Sequence, residues 1–407
     1  MKKYFIFAAA AIVAASCAKT PAPVQTPDGP EAPAVEGKVA VQFGTNVVSN
    51  VETKAPITNW ASQDLYILGF PRKSVTQTEG TSTVTIDYET AFINNVTATA
   101  PAGGTSGIIT NLYSNASESI PFYYEGTKTY DFFGYYVGNA ANPITPTITE
   151  AKDGYTLPIK IDGTQDIMVA KADHSYACDI AFGDTTPGNG ENNRTKVPDN
   201  WKDDYAFSAY AARRGVHPYL QFEHLLTQLS FTVTSGSDFS KSPQLKVTKV
   251  EIVNATADTT LCVAGANLAF IADNPQSTKN WTPLSVKNND ADALTPVDIP
   301  SSTASEPTKI GQPIMLFPKD KFIVKLYLSQ ENPAATAEIE RTIDYATYKA
   351  VSGSKLKPEL DKFEAGYAFA INFKLYGLEK VDITAELVKW EDGGSISIDT
   401  DDAPDTY

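Results

Sequence analysis

The sequence predicts an all-β protein of sandwich type, and three observations carry that expectation. Period-two alternation of apolar and polar residues recurs from Lys38 onward, the pattern of strands with one buried face. No stretch holds helical periodicity over three turns. Tyr (20) and Phe (19) are plentiful, while Gly (25) and Pro (26) supply turn residues, a mixture that favours many short strands over long helices. At 407 residues the chain suggests two or three domains, each able to bury a core.

Taken in order, the chain opens on an address segment. Lys2 and Lys3 precede an apolar run from Tyr4 to Ala15, too short to span a bilayer and suited to a signal-peptide core. Ala14-Ala15-Ser16-Cys17 resembles a bacterial lipobox, with Ala14 where Leu is usual. That makes 1–16 a lipoprotein leader and Cys17 the lipidated first residue. Several acyl chains would give stable anchoring, at about 0.8 kcal/mol per buried CH₂. Residues 17–37 hold Pro21, Pro23, Pro27, Pro30 and Pro33 and no aromatic, so they form a tether. Cleavage removes Lys2 and Lys3, so the remaining chain is more acidic than the formal −15 of the whole.

The body then reads as strands separated by Gly/Pro/Asn/Asp clusters. Lys38 to Val48 forms one alternating strand, with Val39, Val41, Phe43 and Val47 on a shared face. Leu65–Phe70, Thr83–Tyr88, the aromatic run Tyr130–Val137 and Asp166–Ala170 follow. Later come Leu229–Thr234, Leu245–Val253, Ile314–Phe317, Phe322–Leu328, Tyr367–Leu375, Val381–Val388 and Ser395–Ile398. The best local helix candidate is short, Glu223 to Gln228. The domain boundary is expected near 184–217, where a polar Gly/Pro/Asn stretch either decorates the end of the first domain or links the two, and Thr295 to Gly311 is a second long polar loop. The expected organisation is a first sandwich over 38–212 and a second over 213–407.

Composition and motifs exclude several classes of chemistry. The acidic balance argues against nucleic acid or an anionic membrane surface as partner. Three His and three Cys leave little material for zinc clusters or a disulfide scaffold. There is no G-x-G-x-x-G, G-x-x-x-x-G-K-[ST], H-E-x-x-H or G-x-S-x-G. Gly103-Gly104-Thr105-Ser106-Gly107 lacks the lysine and helix of a phosphate loop, and Ser354-Lys355-Leu356-Lys357 matches a catalytic S-x-x-K by letters only. His217 and His224 lack further ligands in the sequence around them. Asp290-Ala291-Asp292 and Asp399 to Asp402 lack the glycine and bidentate Glu of a calcium loop. Cys178 and Cys262 fall in different expected domains and read as separate, partly buried thiols. No enzyme, cofactor or metal is expected.

Five local patterns carry a resemblance. They are Thr53-Lys54-Ala55 followed by Trp60 and Asp64-Leu65-Tyr66-Ile67; the aromatic strand Tyr130 to Tyr136; Asp166-Ile167-Met168-Val169-Ala170; Leu220-Gln221-Phe222-Glu223-His224-Leu225-Leu226-Thr227-Gln228-Leu229-Ser230-Phe231; and Ile383 to Gly394. Their order behind a lipoprotein leader resembles the fimbrillin family, lipoprotein-precursor pilins of type V fimbriae in Bacteroidetes-type bacteria. The resemblance implies two transthyretin-like, Greek-key β-sandwich domains in tandem. It implies a subunit exported as an outer-membrane lipoprotein, displayed at the cell surface and cut after a basic residue by a trypsin-like protease. The cut removes the first strand, and an extended segment of a neighbouring subunit fills the groove.

Mapped onto this sequence, the processing bond is Lys54–Ala55 and the removed strand holds Val39, Val41, Phe43 and Val47. The donor segment is 381–399, with Val381, Ile383, Ala385 and Leu387 on one face and Ile396 and Ile398 alternating after the Glu391 to Gly394 turn. The partners are then other pilin subunits, the same or different, and the processing protease. Plainer readings stay open: Lys54 as a solvated loop lysine, and 381–398 as a permanent final hairpin of the second domain. The alternative function is a non-polymerising surface lipoprotein, an adhesin or glycan-binding module with a host or bacterial surface ligand. Trp201 and Tyr205 are its candidate aromatic platform.

Overall fold

The computed structural model describes residues 37–47, 59–77, 84–138, 149–151, 154–172, 207–213, 215–236, 245–256, 258–271, 281–288, 293–300, 306–331, 333–350, 356–357, 359–378 and 381–388. Strands dominate them. The first half holds β1 (Gly44–Val47), β2 (Asp64–Gln77), β3 (Val84–Tyr88), β4 (Ile93–Thr99), β5 (Ser106–Ile108), β6 (Tyr113–Asn115), β7 (Ile120–Pro121), β8 (Tyr130–Tyr136), β9 (Thr149–Ala151), β10 (Gly154–Lys160) and β11 (Met168–Lys171). A short helix α1 (Ala209–Ala212) leads to β12 (Tyr219–His224), β13 (Thr227–Ser235), β14 (Leu245–Ile252), β15 (Asp258–Gly265), β16 (Phe270–Ile271), β17 (Leu284–Ser285), β18 (Val297–Asp298) and β19 (Thr308–Leu316). The chain continues through β20 (Lys321–Gln330), β21 (Ala335–Asp344), helix α2 (Tyr345–Lys349), β22 (Ala368–Leu375) and β23 (Val381–Val388). Among the described residues no helix is long and apolar enough to cross a membrane.

The first sheet runs β3-β2-β8-β11-β12-β1-β5, with β4 also on β2. β4 pairs with the first half of β2 and β3 with the second, so the two succeed each other along one edge. β8 is the centre. All seven of its residues are buried, which explains aromatic residues at adjacent positions where a half-buried strand would alternate. Phe132 joins the core on one face, with Phe43, Trp60 and Phe222. Phe133 and Tyr135 join the core on the other, with Leu68 and Phe70. Gly134 is required between them: a Cβ there would lie 2.8 Å from the Phe222 ring and 3.1 Å from Leu220.

The second face of this sheet is covered by strands from both halves of the chain. A four-stranded sheet runs β16-β15-β10-β9, in which β10 pairs antiparallel with β15 from Gly154↔Gly265 to Lys160↔Asp258. Leu157 and Ile159 from one strand and Leu261 and Val263 from the other enter the core beneath Phe133 and Tyr135, where Met315, Phe317 and Ala368 also pack. Beyond it lies a second sandwich. One sheet runs β19-β13-β22-β23 and the other β17-β14-β20-β21, with β18 beside β14. Here the alternation is clean. Phe322, Val324, Leu326 and Leu328 of β20 face Phe231 and Val233 of β13 and Phe369, Ile371 and Phe373 of β22 in one core, the pattern of aligned sandwiches.

The chain is therefore all-β, with sandwich layers in both halves. Several elements depart from the sequence expectations. Lys38 to Val48 is not one regular strand: only Gly44–Val47 is strand, preceded by an isolated bridge at Ala40↔Tyr123. The ladder changes partner, because Val39 and Val41 bond to the Phe122–Tyr124 segment. Glu223 to Gln228 is not helical; it ends β12 and begins β13. β12, which a boundary at 212/213 assigns to the second half, lies inside the first sheet between β11 and β1. The polar stretch Thr295 to Gly311 includes β18 and the start of β19.

Leu261 is fully buried in the layer shared by the two halves. Leu261→Ala is expected to lower the unfolding free energy by about 2–5 kcal/mol. Urea denaturation should show one earlier transition for both halves rather than loss of the second sandwich alone.

Candidate functional site

The sequence marks the first strand as the functional element, and the structure seats it inside a sheet. β1 pairs in parallel with β12, from Gly44↔Tyr219 to Val47↔Phe222. On its other side it pairs antiparallel with β5, from Gly44↔Ile108 to Asn46↔Ser106. Hydrogen bonds extend the seat at both ends: Val41 N–H donates to Phe122 O at 2.9 Å and Val47 N–H to Thr105 O at 3.0 Å. The Thr45 hydroxyl donates to Leu220 O at 2.9 Å.

Side-chain alternation fits this position. Val41, Phe43 and Val47 are buried, Val39 packs against the same core, and Gln42 is exposed. Phe43 meets Phe132 edge to face, with centroids 5.0 Å apart. Trp60 meets Phe222 in the same manner at 5.3 Å. The Gly-rich stretch holds this end together. Gly104 O accepts from Trp60 N–H and Thr105 O from Val47 N–H, and Gly107 pairs with Thr45, so the backbone of this stretch is tied to β1 and to Trp60.

Taking β1 away would uncover the β12 edge from Tyr219 to Phe222. It would also leave β5 with no strand partner among the described residues. An apolar slot floored by Phe132 and Phe222 would open beside that edge. Unpaired edges of this kind bind added strands, and the slot gives alternate side chains a place to go.

The sequence-marked residues fall as follows. Val39, Val41, Phe43 and Val47 come together in this seat. Cys17, Lys54, Ala55, Ile396, Ile398, Trp201, Tyr205, Cys178 and the paired aspartates Asp290, Asp292, Asp399, Asp401 and Asp402 lie outside the described residues. Val381, Ile383, Ala385 and Leu387 belong to β23, which pairs antiparallel with β22 from Leu375↔Val381 to Ala368↔Val388. β23 is the outermost strand of its sheet. Its four apolar positions stand in register with Leu375, Phe373, Ile371 and Phe369, all buried.

Other polar groups in the interior are tied to structure. Arg72 grips Asp131 through Nε–H at 2.9 Å and Nη2–H at 2.7 Å, and the Tyr88 hydroxyl donates to the same carboxylate at 2.8 Å. Burial by itself would raise the Asp131 carboxyl; the Arg72 guanidinium outweighs it, with Lys171 and Tyr88 adding, and the carboxyl sits below the usual carboxylate value. This triad fastens β2, β3 and β8 together. His224, at the end of β12, lies 2.9 Å from Asp166 through Nδ1, and His217 is buried in the extended segment before β12. Among the described residues no group of three or more His, Cys, Asp or Glu is placed to hold a metal. Cys262 is buried in β15, its thiol directed at Ala264 O at 3.6 Å. In the S-x-x-K stretch, Leu356 is buried and Lys357 O accepts from the Tyr345 hydroxyl.

Lys319 is a buried cation that the sequence did not mark. Its ammonium donates to Asn254 O and lies 5.9 Å from the Trp281 ring centre. Burial pushes it down to about 8.

Neither a family profile nor a characterised protein sequence matches the chain. Solved structures do resemble it. A fimbrial protein from Bacteroides vulgatus aligns over 87% of this chain and 100% of its own, at 12% identity and a TM-score of 0.46. A proposed cell adhesion protein from Bacteroides uniformis aligns over 88% and 99%, at 13% identity and 0.44. A fimbrial assembly protein from Parabacteroides distasonis aligns over 86% and 97%, at 9% identity and 0.29. At TM-scores under 0.5 these similarities carry no argument about what the chain does, and the geometry of the β1 seat stands by itself.

Two outcomes are expected. Phe43→Ala should cost about 3–5 kcal/mol of stability, read as a lower urea midpoint at unchanged slope. Lys319 is lower in the folded chain than its ordinary 10.5, so between about 8 and 10.5 the unfolded chain holds a proton that the folded chain lacks. Stability should therefore rise with pH through that window, and Lys319→Met should flatten the rise in melts at graded pH.

Proposed function

We propose that this chain is a structural subunit of a cell-surface fimbria, without catalytic work of its own. In this reading it is exported as a lipoprotein anchored through Cys17 in the outer membrane. A trypsin-like protease cuts after Lys54, and the cut subunit polymerises by accepting a strand from a neighbour. The observation that supports it is the seat of β1: a short strand held between β12 and β5, over an apolar floor that stays with the rest of the chain.

The geometry gives the removal a consequence. After a cut at Lys54, residues 39–47 are no longer joined to the body by covalent bonds. They stay only through a short ladder and four apolar side chains. Once they leave, the exposed edge and slot present main-chain hydrogen bonds and side-chain pockets together, and an added strand restores both. The donor is drawn from residues 381–399. Within that range, residues 381–388 already complete the second sandwich as β23. Their use would require β23 to leave β22, whereas Ile396 and Ile398 follow it in sequence and would not.

Trypsin treatment of the purified precursor, with sequencing of the product, tests this. The expected result is a discrete cut between Ser49 and Thr58 followed by a ladder of oligomers, with both lost in Lys54→Gln. A precursor that resists cutting there, or a cut product that stays monomeric, would overturn the polymerising role.

A further inference from the structure

The seat of β1 holds buried polar atoms that its present occupant leaves unsatisfied. Among the described residues, the Trp60 indole nitrogen, the Tyr124 hydroxyl and Asn46 Oδ1 are buried without a hydrogen-bond partner. Trp60 is 1% exposed and Tyr124 6%, and both rings belong to the core that receives β1. They mark its two ends. Tyr124 N–H bonds to Val39 O, and its ring packs near Phe132, on which Phe43 sits. Trp60 packs on Phe222, the register partner of Val47.

An indole N–H only donates and a phenol both donates and accepts, so each end lacks an acceptor. Val39 lies beside Tyr124 on the paired backbone, and Val47 stands opposite the Phe222 on which Trp60 packs, so the resident strand brings valines to both ends. Apolar side chains cannot supply the missing acceptors, and an unmet buried donor is costly. The third unsatisfied atom, Asn46 Oδ1, belongs to the resident strand and would leave with it.

We infer that Trp60 and Tyr124 are the specificity-determining contacts of this groove, selecting a strand from a second copy that is apolar in the middle and carries an oxygen acceptor at each end. This rests on the strand-exchange reading above. With the Glu391 to Gly394 turn opened into strand and the donor extended by one residue, 392–400 have that pattern at alternate positions: Asp392, Gly394, Ile396, Ile398 and Thr400. Entering with the polarity of β1, parallel to β12, such a strand sets Ile396 in the place of Phe43. Thr400 then takes the place of Val47, beside Trp60, and Asp392 that of Val39, near Tyr124. Polar atoms that burden the precursor thus become bonds in the assembled state, which gives exchange a direction.

The test uses full-length precursors carrying Tyr124→Phe, Trp60→Phe or Thr400→Val. Tyr124→Phe removes only a hydroxyl, and its uncut precursor should melt no lower than the original. A drop of several degrees would show that the hydroxyl is already bonded and overturn the inference. After trypsin, Trp60→Phe and Thr400→Val should each slow oligomer growth by about fivefold, with the double variant no slower than either single one. Thr400→Val lies outside the β1 seat and keeps the test valid if Trp60→Phe folds poorly. Equal growth in all variants overturns the inference while leaving strand exchange intact. Failure of the original chain to assemble removes both.

Discussion

Burial of the aromatic strand β8 on both faces is the constraint on which the rest of the structure depends. A strand whose seven residues are all buried needs a layer above and a layer below, because apolar rings left in water forfeit about 25 cal/mol for each Å². One layer is built around Phe43, Trp60 and Phe222. The other is the small sheet in which β10 and β15 meet. The first layer places β1 where its loss uncovers both an edge and a slot. The second binds the two halves of the chain through one shared core.

The acidic charge of the chain, −15 over 407 residues, bears on how copies of it would meet in the proposed assembly. Like-charged bodies repel at long range and gain nothing from non-specific surface pairing. In the proposed assembly, association would fall to a contact that is apolar and hydrogen-bonded through the main chain, as in the seat of β1. The charged cluster of the first half reinforces rigidity. The Arg72–Asp131–Tyr88 triad, with little access to water, holds the β2–β3 hairpin to β8.

Much of the fold was legible in the sequence where one face of a strand is buried. β13, β14, β20 and β22 alternate as half-buried strands do, and their positions follow from period alone. β8 was legible for the opposite reason, a density of aromatic residues that does not alternate, with five in seven positions. The strands that escaped notice owe their state to distant partners. β10 contains Pro158, and β15 begins Asp258-Thr259-Thr260; neither stands out until the two pair across about a hundred residues. β12 carries local signals mixed enough to suggest a helix near His224, and its place in the first sheet is fixed by β1 and β11. For the site, Phe43 and its apolar neighbours were visible as one face. Tyr124 was not marked, and Phe132 and Phe222 stood in marked segments without a tie to Phe43, because no short spacing joins them and only the sheet brings them together.

The pairing of β1 with β12 also orders events in time. The Thr45 hydroxyl reaches Leu220 O across 175 positions of chain, and the far face of the same sheet is closed by β15, ending at Gly265. A polypeptide emerging amino end first therefore cannot finish its first sheet until β12 has appeared, nor cover it until β15 has. Closing such long loops makes folding slow. Well past its midpoint the emerging chain holds aromatic strands without their cover, and its earliest segment waits longest for a partner. A chain built this way gains from being kept apart from its neighbours until Gly265 is free, since a stray strand could enter the vacant place before the chain's own β1 does.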